Sequence, residues 1–189
     1  FNTKLYTGTG SSHAITGVGF APNWVWLKRR DTSGNNYVFD TVRGATQRLI
    51  TNDPASDAVD NASLTAFGSD GFTVNTETDL NANSGTFASW NWLANGAGSA
   101  NTDGSISSTV SANTTSGFSI VKWTNSTSNA GTIGHGLGVA PKMIIFKTTS
   151  AVTNWYVYNK SIGAGNFLEF NGTVGSQASA NLFDNTEPT

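Results

Sequence analysis

The sequence predicts an all-β protein, a duplicated β-sandwich of jelly-roll or lectin-like kind. Gly, Ser, Thr and Asn together supply 89 of the 189 residues, and these residue types favour strands, turns and caps over helix interiors. Six Trp, four Tyr and eleven Phe supply large apolar side chains for a packed core. The third observation is an internal repeat, which places the same pattern of strands in both parts of the chain.

The repeat becomes visible when the chain is compared with itself at a spacing of 119 residues. Residues 19–40 align without a gap on residues 138–159, and 11 of 34 positions are identical once the alignment reaches Asn52 and Asn171. Unrelated sequences would share about two or three. We therefore predict one domain over residues 1–189, built from two related halves of about 1–116 and 117–189. The chain begins with Phe1 and not with Met, so we expect a fragment of a longer chain. The second half lacks a counterpart of residues 71–92, so either the natural chain continues or another subunit completes the sandwich.

Each copy of the repeat predicts a β-hairpin. A Gly-rich turn ending in Ala-Pro leads into an apolar run, residues 24–27 in the first copy and 143–146 in the second. Continuous apolar runs of this length are typical of strands covered on both faces. A polar turn follows, and a second apolar run at residues 37–39 or 155–158 then forms the returning strand.

Further strands are predicted between the two hairpins, and one short helix. The strand candidates are residues 71–74, 86–93 and 117–123, separated by Asp-Gly and Asn-Gly turn signals. Residues 53–59 are the helix candidate, because Asp53 could cap a first turn that begins with Pro54. Strands at intervals of 8 to 15 residues in two related halves favour a sandwich over a closed barrel.

Charge and composition argue against several classes of partner. A formal net charge of -2 leaves no basic surface for nucleic acid or for an anionic membrane. The longest aliphatic runs have four residues, far from the ~20 of a membrane helix. The chain has no Cys, which removes disulfides and thiolate sites, and only two His. We expect no cofactor, no nucleic acid and no membrane.

Several motifs, in order along the chain, resemble one known family. They are GVGFAPNWVWLKRRD at Gly17, FDTVRGA at Phe39, GFTV at Gly71, FASWNWLANG at Phe87, GSISSTVSAN at Gly104, GFSIVKW at Gly117 and GHGLGVAPKMIIFK at Gly134. This combination resembles a domain of virion structural proteins of tailed bacteriophages, especially phages of marine bacteria. The resemblance implies a tail-associated or other surface component of the particle, and it carries over no catalytic residue.

Two groups of polar residues could carry chemistry. His135 lies in Gly134-His135-Gly136-Leu137-Gly138, but the equivalent first-copy loop keeps its glycines without a His, so the glycines indicate turn geometry. Asp53, Asp57 and Asp60 offer oxygen ligands for calcium. They lack the spacing of a calcium loop, and a capped turn with a solvated acidic face is the alternative.

The six tryptophans lie in or beside strand runs, which favours core packing over sugar stacking. Tyr6 and Trp123 stand at equivalent positions near loops and are the aromatic residues most expected to be exposed. With His135, they are the candidates for contact with a ligand or glycan.

The resemblance implies a component of a phage virion, and the residues themselves favour a non-enzymatic one. A β-sandwich glycosidase would need two facing carboxylates, and only three Glu are present, at 77, 169 and 187. We expect assembly with copies of itself and with other virion proteins at the virion surface, as a homo-oligomer, because repeated β-edges are commonly covered by symmetric association. The alternative is a lectin-like adhesin module that recognises host surface glycans.

Overall fold

The computed structural model describes residues 1–124 and 131–189. These residues form sixteen strands and one helix of four residues. In chain order the elements are β1 (Asn2–Thr7), β2 (His13–Thr16), β3 (Trp24–Arg29), β4 (Asn36–Asp40), β5 (Gln47–Ile50), β6 (Ala58–Val59), β7 (Leu64–Gly68), β8 (Gly71–Val74), α1 (Thr78–Asn81), β9 (Thr86–Trp92), β10 (Ser99–Asn101), β11 (Ser108–Asn113), β12 (Phe118–Trp123), β13 (Met143–Phe146), β14 (Tyr156–Asn159), β15 (Asn166–Glu169) and β16 (Gln177–Ala178).

The strands build four sheets whose pairings are all antiparallel in the described residues. The largest sheet has six strands in the order β1-β9-β3-β4-β5-β6. The order β2-β8-β7 makes a three-stranded sheet, β10-β11-β12 makes another, and β13-β14-β15-β16 makes a four-stranded sheet. The prediction of an all-β, sandwich-like fold is confirmed, and so are the strand candidates at residues 71–74, 86–93 and 117–123.

One face of the six-stranded sheet carries the main core. Successive side chains of a strand point to opposite faces, and the residues of β3 and β4 that face this core include Val25, Leu27 and Phe39. The sheet β2-β8-β7 supplies Ile15, Phe72 and Val74 from the other side, and α1 adds Leu80. These side chains are buried, so the two sheets form the sandwich.

The second repeat packs against the opposite face of the same sheet. Val38 and Leu49 point to this face and form a buried cluster with Trp155, which is only 2% exposed. The half-buried rings of Trp26 and Phe170 pack at the edge of the cluster, with centroids 5.4 Å apart. The indole N–H of Trp155 donates to the Ile50 carbonyl at 2.9 Å. The six-stranded sheet is thus covered on both faces around β3 and β4.

The two repeats share their strand register. In the first, β3 and β4 pair Trp24 with Asp40 and β4 and β5 pair Val38 with Leu49. In the second, the corresponding pairs are 143 with 159 and 157 with 168, each shifted by 119 residues. β6 and β16 follow the same rule. The duplication is therefore preserved from β3 to β6 and from β13 to β16, while the boundary drawn near residue 116 stays a prediction.

Two predictions about local structure are wrong. β13 was expected to be covered on both faces, but Met143 is 50% exposed and Ile145 is 38% exposed, so one face is open. Residues 53–59 form no helix. Asp53 Oδ1 accepts the Ala55 N–H at 2.7 Å, and the Pro54 carbonyl accepts the Thr153 N–H at 3.0 Å. These contacts, together with the pairing of β6 on β5, occupy groups that a helix would use internally.

Candidate functional site

An open cleft of about 350 Å³ lies beside Trp123. β11 and β12 position it, because they pair Ser108 with Trp123 and Thr109 with Lys122. This space, here called the Trp123 cleft, is lined by Val42, Ser107, Ser108, Thr109, Lys122, Trp123 and Thr124. One large ring, several hydroxyls and one cation thus surround a solvent-filled space.

Ser108, one of the lining residues, has a buried hydroxyl without a partner. The residue is 8% exposed, and its Oγ has no hydrogen-bond partner among the described residues. A buried hydroxyl left unpaired costs about 1–3 kcal/mol of stability, so an unpaired group of this kind calls for a structural or functional explanation. Trp123 itself is half-buried, with the Phe146 ring 6.3 Å away in an edge-on arrangement.

Tyr6 does not have the exposure that the sequence suggested. It points from β1 into the main core, where its ring stacks on Phe87 with centroids 5.1 Å apart. Its hydroxyl donates to the Leu80 carbonyl at 2.6 Å, and burial raises the pKa of the Tyr6 hydroxyl. Tyr6 is therefore partly buried against the main core and is not among the residues that line the Trp123 cleft.

His135 stabilises a turn, as its glycine neighbours suggested. Its Nδ1 accepts the Leu137 N–H at 3.1 Å, which places the proton on Nε2, 3.0 Å from the Thr189 carbonyl oxygen. Gly136 has a φ of 68°, and the equivalent Gly17 of the first repeat has 79°. Both ring nitrogens of His135 have partners, and the residue does not line the Trp123 cleft.

The three acids considered for calcium have separate partners. Asp57 Oδ1 accepts from Arg43 at 2.9 Å, and Asp60 Oδ2 accepts from Arg48 at 3.0 Å. Asp53 accepts a backbone N–H within its own turn. Across residues 1–124 and 131–189, no group of three or more His, Asp or Glu side chains is placed to hold a metal ion. The prediction of a solvated acidic face is wrong as well, because Asp57 and Asp60 are partly buried and ion-paired.

One of these acids, Asp57, belongs to a buried ionic network. Arg43 Nε lies 2.6 Å from Asp40 Oδ2, and the side chains of both residues are more than nine-tenths buried. Arg43 also contacts Asp57 and the Gln47 carbonyl. Burial raises the pKa of the Asp57 carboxyl, although the Arg43 guanidinium opposes that shift. Sequence reasoning missed this network. The sequence does contain a sign of the network. At the equivalent positions of the second repeat, Asp40, Arg43 and Asp57 are all replaced, by Asn159, Ile162 and Ser176.

Glu187 anchors the last residues of the chain to the second repeat. Its carboxylate accepts from the Tyr158 hydroxyl, which is buried, and from the Ala164 N–H at 2.9 Å. These two bonds hold the pKa of Glu187 below its ordinary value. Burial, together with the contact with Glu187, raises the pKa of Tyr158 to about 12. Glu187 is therefore a structural residue and not part of a free tail.

The single helix of the described residues is too short to cross a membrane. α1 is four residues long, and no helix in the part of the chain that the structure describes is long and apolar enough to cross a bilayer.

Comparisons with known proteins give a family and no established activity. No curated protein and no solved structure matches the chain. A family model described as a domain of unknown function (DUF7483) matches residues 1–189, the whole sequence given. The chain therefore belongs to the DUF7483 family.

Proposed function

We propose that this protein is a non-enzymatic structural component of a phage virion, exposed on the tail, fibre or capsid surface. It acts by assembly and surface contact with copies of itself and with other virion proteins. The ordered motifs that resemble virion structural proteins support the phage assignment. An exposed apolar strip on β1 supports the mode of action.

That strip consists of Phe1, Thr3 and Leu5, here called the β1 strip. Thr3 and Leu5 share one face because alternate residues of a strand point the same way. Phe1 precedes the strand, and its ring lies 4.7 Å from that of Trp92 between centroids. Phe1 is 63% exposed and Leu5 is 55% exposed. β1 pairs only with β9 among the described strands, so its other edge is open. An edge strand that exposes apolar side chains is a template for association with another chain.

Sedimentation of the purified chain over a range of concentrations tests this mode of action. We expect concentration-dependent self-association of the wild type. Leu5→Lys should weaken it at least tenfold, because the ammonium group would enter an apolar contact. Val174→Lys is the matched control, since Val174 is similarly exposed but lies outside the strands. A wild type that stays monomeric throughout, or equal behaviour of both variants, would contradict the proposal.

The phage assignment needs its own experiment. Antibody labelling of purified phage particles, viewed by electron microscopy, should place the protein on the tail, a fibre or the capsid surface. Particles that carry no label, with the protein present only in the unassembled fraction, would contradict the assignment.

A second candidate function is binding of host surface glycans, and the Trp123 cleft favours it. An aromatic ring beside several hydroxyls suits sugars, whose C–H faces pack on rings while their hydroxyls form hydrogen bonds. The Ser108 Oγ has no partner and is closed off from solvent, so a sugar hydroxyl would bind it once the Ser108 side chain rotates toward the cleft.

A glycan array distinguishes this candidate from the first. Trp123→Ala and Ser108→Ala should each remove binding, whereas His135→Ala should leave it unchanged because His135 lies outside the cleft lining. Ser108→Ala should not lower the melting temperature, because the hydroxyl it removes has no partner in the folded chain. The absence of binding to any glycan by the wild type, or binding that survives Trp123→Ala, would eliminate this candidate.

A further inference from the structure

The two repeats differ at one edge of their equivalent sheets. β3 pairs with β4 on one side and with β9 on the other. β13 holds the equivalent place in the second repeat, and it pairs with β14 alone among the described strands. The second repeat therefore has an open edge at the position where the first has β9.

The backbone of β13 has hydrogen-bonding groups directed at this open edge. The Lys160 N–H donates to the Lys142 carbonyl at 2.9 Å, which identifies residues 142 and 160 as a bonded pair of the β13–β14 ladder. Bonded pairs alternate along an antiparallel ladder. Residues 144 and 146 therefore face β14, while Met143 and Ile145 direct their N–H and C=O groups away from it.

The same alternation occurs in the first repeat, where the backbone groups directed at this edge bond to β9. The Arg30 N–H donates to the Thr86 carbonyl at 2.8 Å, so every second residue of β3, including Trp26, directs its backbone groups at β9. Trp26 lies opposite Trp90 in that ladder. Ile145 is the equivalent of Trp26 at the spacing of 119 residues, and on this edge it has no ladder partner in the part of the chain that the structure describes.

The side chains on the β13 edge are apolar and exposed. Met143 and Ile145 are the equivalents of Trp24 and Trp26 and are 50% and 38% exposed. In the first repeat, Trp26 packs on Trp90 of β9 with ring centroids 5.5 Å apart. The neighbour that completes the second repeat should therefore bring large apolar side chains at alternate positions.

We propose that the β13 edge accepts an extended polypeptide segment as an added antiparallel strand. The segment would resemble β9 in chemistry, with large apolar side chains two residues apart that cover Met143 and Ile145. Main-chain hydrogen bonds would provide affinity, and the alternate side chains would provide specificity. The first repeat supplies the template for this contact. The proposal does not depend on the virion assignment or on the β1 strip.

A synthetic peptide with the sequence of residues 85–93, added to the full chain, tests the proposal. We expect saturable binding that shifts the backbone amide resonance of Ile145. Methylation of the peptide nitrogen at the position of Trp90 should weaken binding at least tenfold, because that N–H faces the partner strand in the β3–β9 ladder. Methylation at the position of Asn91 is the matched control, since its N–H points to the opposite edge, and it should leave binding unchanged.

A variant of the protein gives a second test. Ile145→Pro removes the N–H directed at the edge and should abolish peptide binding, while Ile145→Thr keeps the N–H and should retain part of it. The proposal is overturned if the unmodified peptide does not bind, or if both methylated peptides bind equally. Shifts at Trp26 instead of Ile145 would mean that the peptide displaces β9, and would also overturn it. Protection of the Ile145 amide by a second copy of the chain would overturn the proposal as well.

Discussion

Truncation of Trp155 should separate the second repeat from the six-stranded sheet. Trp155→Ala removes a side chain that is 2% exposed and packed against Val38 and Leu49. Loss of a buried Trp costs about 3–5 kcal/mol in transfer and cavity terms. The change also removes the donor to the Ile50 carbonyl, whose hydrogen bond is worth about 1 kcal/mol. The sum is a large share of the roughly 5–15 kcal/mol that stabilises a domain.

Urea unfolding followed by far-UV circular dichroism measures this loss. With an m-value of about 2 kcal/mol/M, a loss of about 4 kcal/mol lowers the midpoint by about 2 M. Trp155→Phe keeps a ring but removes the N–H, and should cost about 1–3 kcal/mol. Trp123→Ala is the control, because Trp123 is only half-buried and should cost less than Trp155. A Trp155→Ala midpoint within 0.5 M of the wild type (about 1 kcal/mol) would refute the packing argument.

Three further predictions concern the ionic network, acid stability and one glycine. Arg43→Ile should cost about 3–5 kcal/mol, because it leaves buried carboxylates unpaired; adding Asp40→Asn and Asp57→Ser, which copies the second repeat, should recover part of that loss in urea unfolding. The lowered pKa of Glu187 should stabilise the fold above about pH 4.5, with that contribution lost as pH falls through the folded-state value; Glu187→Gln should flatten the acid side of a stability–pH curve. Gly71→Ala should reduce the melting temperature far more than Gly44→Ala. Both positions have positive φ, but only at Gly71 would a Cβ collide with a backbone oxygen, that of Ile15.

The strands and the repeat could be predicted from sequence because their signals are local. Apolar runs, alternation and Gly-rich turns each extend over a few residues, and the spacing of 119 residues needs only the chain itself. The register of β13 on β14 follows from the first repeat in the same way.

The features that were predicted wrongly, or not predicted at all, depend on contacts between residues far apart in the sequence. The apolar run 143–146 is the same whether or not a strand covers it, so the exposure of Ile145 is decided by the presence of a neighbour. Residues 53–59 have a helical start signal, but the Pro54 carbonyl accepts from Thr153 and from the Lys147 ammonium, about 95 residues away. The Trp123 cleft is likewise invisible in sequence, because Val42 reaches it from the first repeat.

Amide hydrogen exchange at two equivalent residues tests the central claim most directly. The claim is that the repeats share one fold, but that, among the described residues, the first has a strand along this edge and the second has none. In the free chain, at a concentration where it is monomeric, the Trp26 amide should be strongly protected, because it bonds to β9 in a core sheet. The Ile145 amide should exchange close to the rate of an unstructured peptide. Similar protection of the two amides would contradict the claim, since it would require a partner for β13 within the same chain.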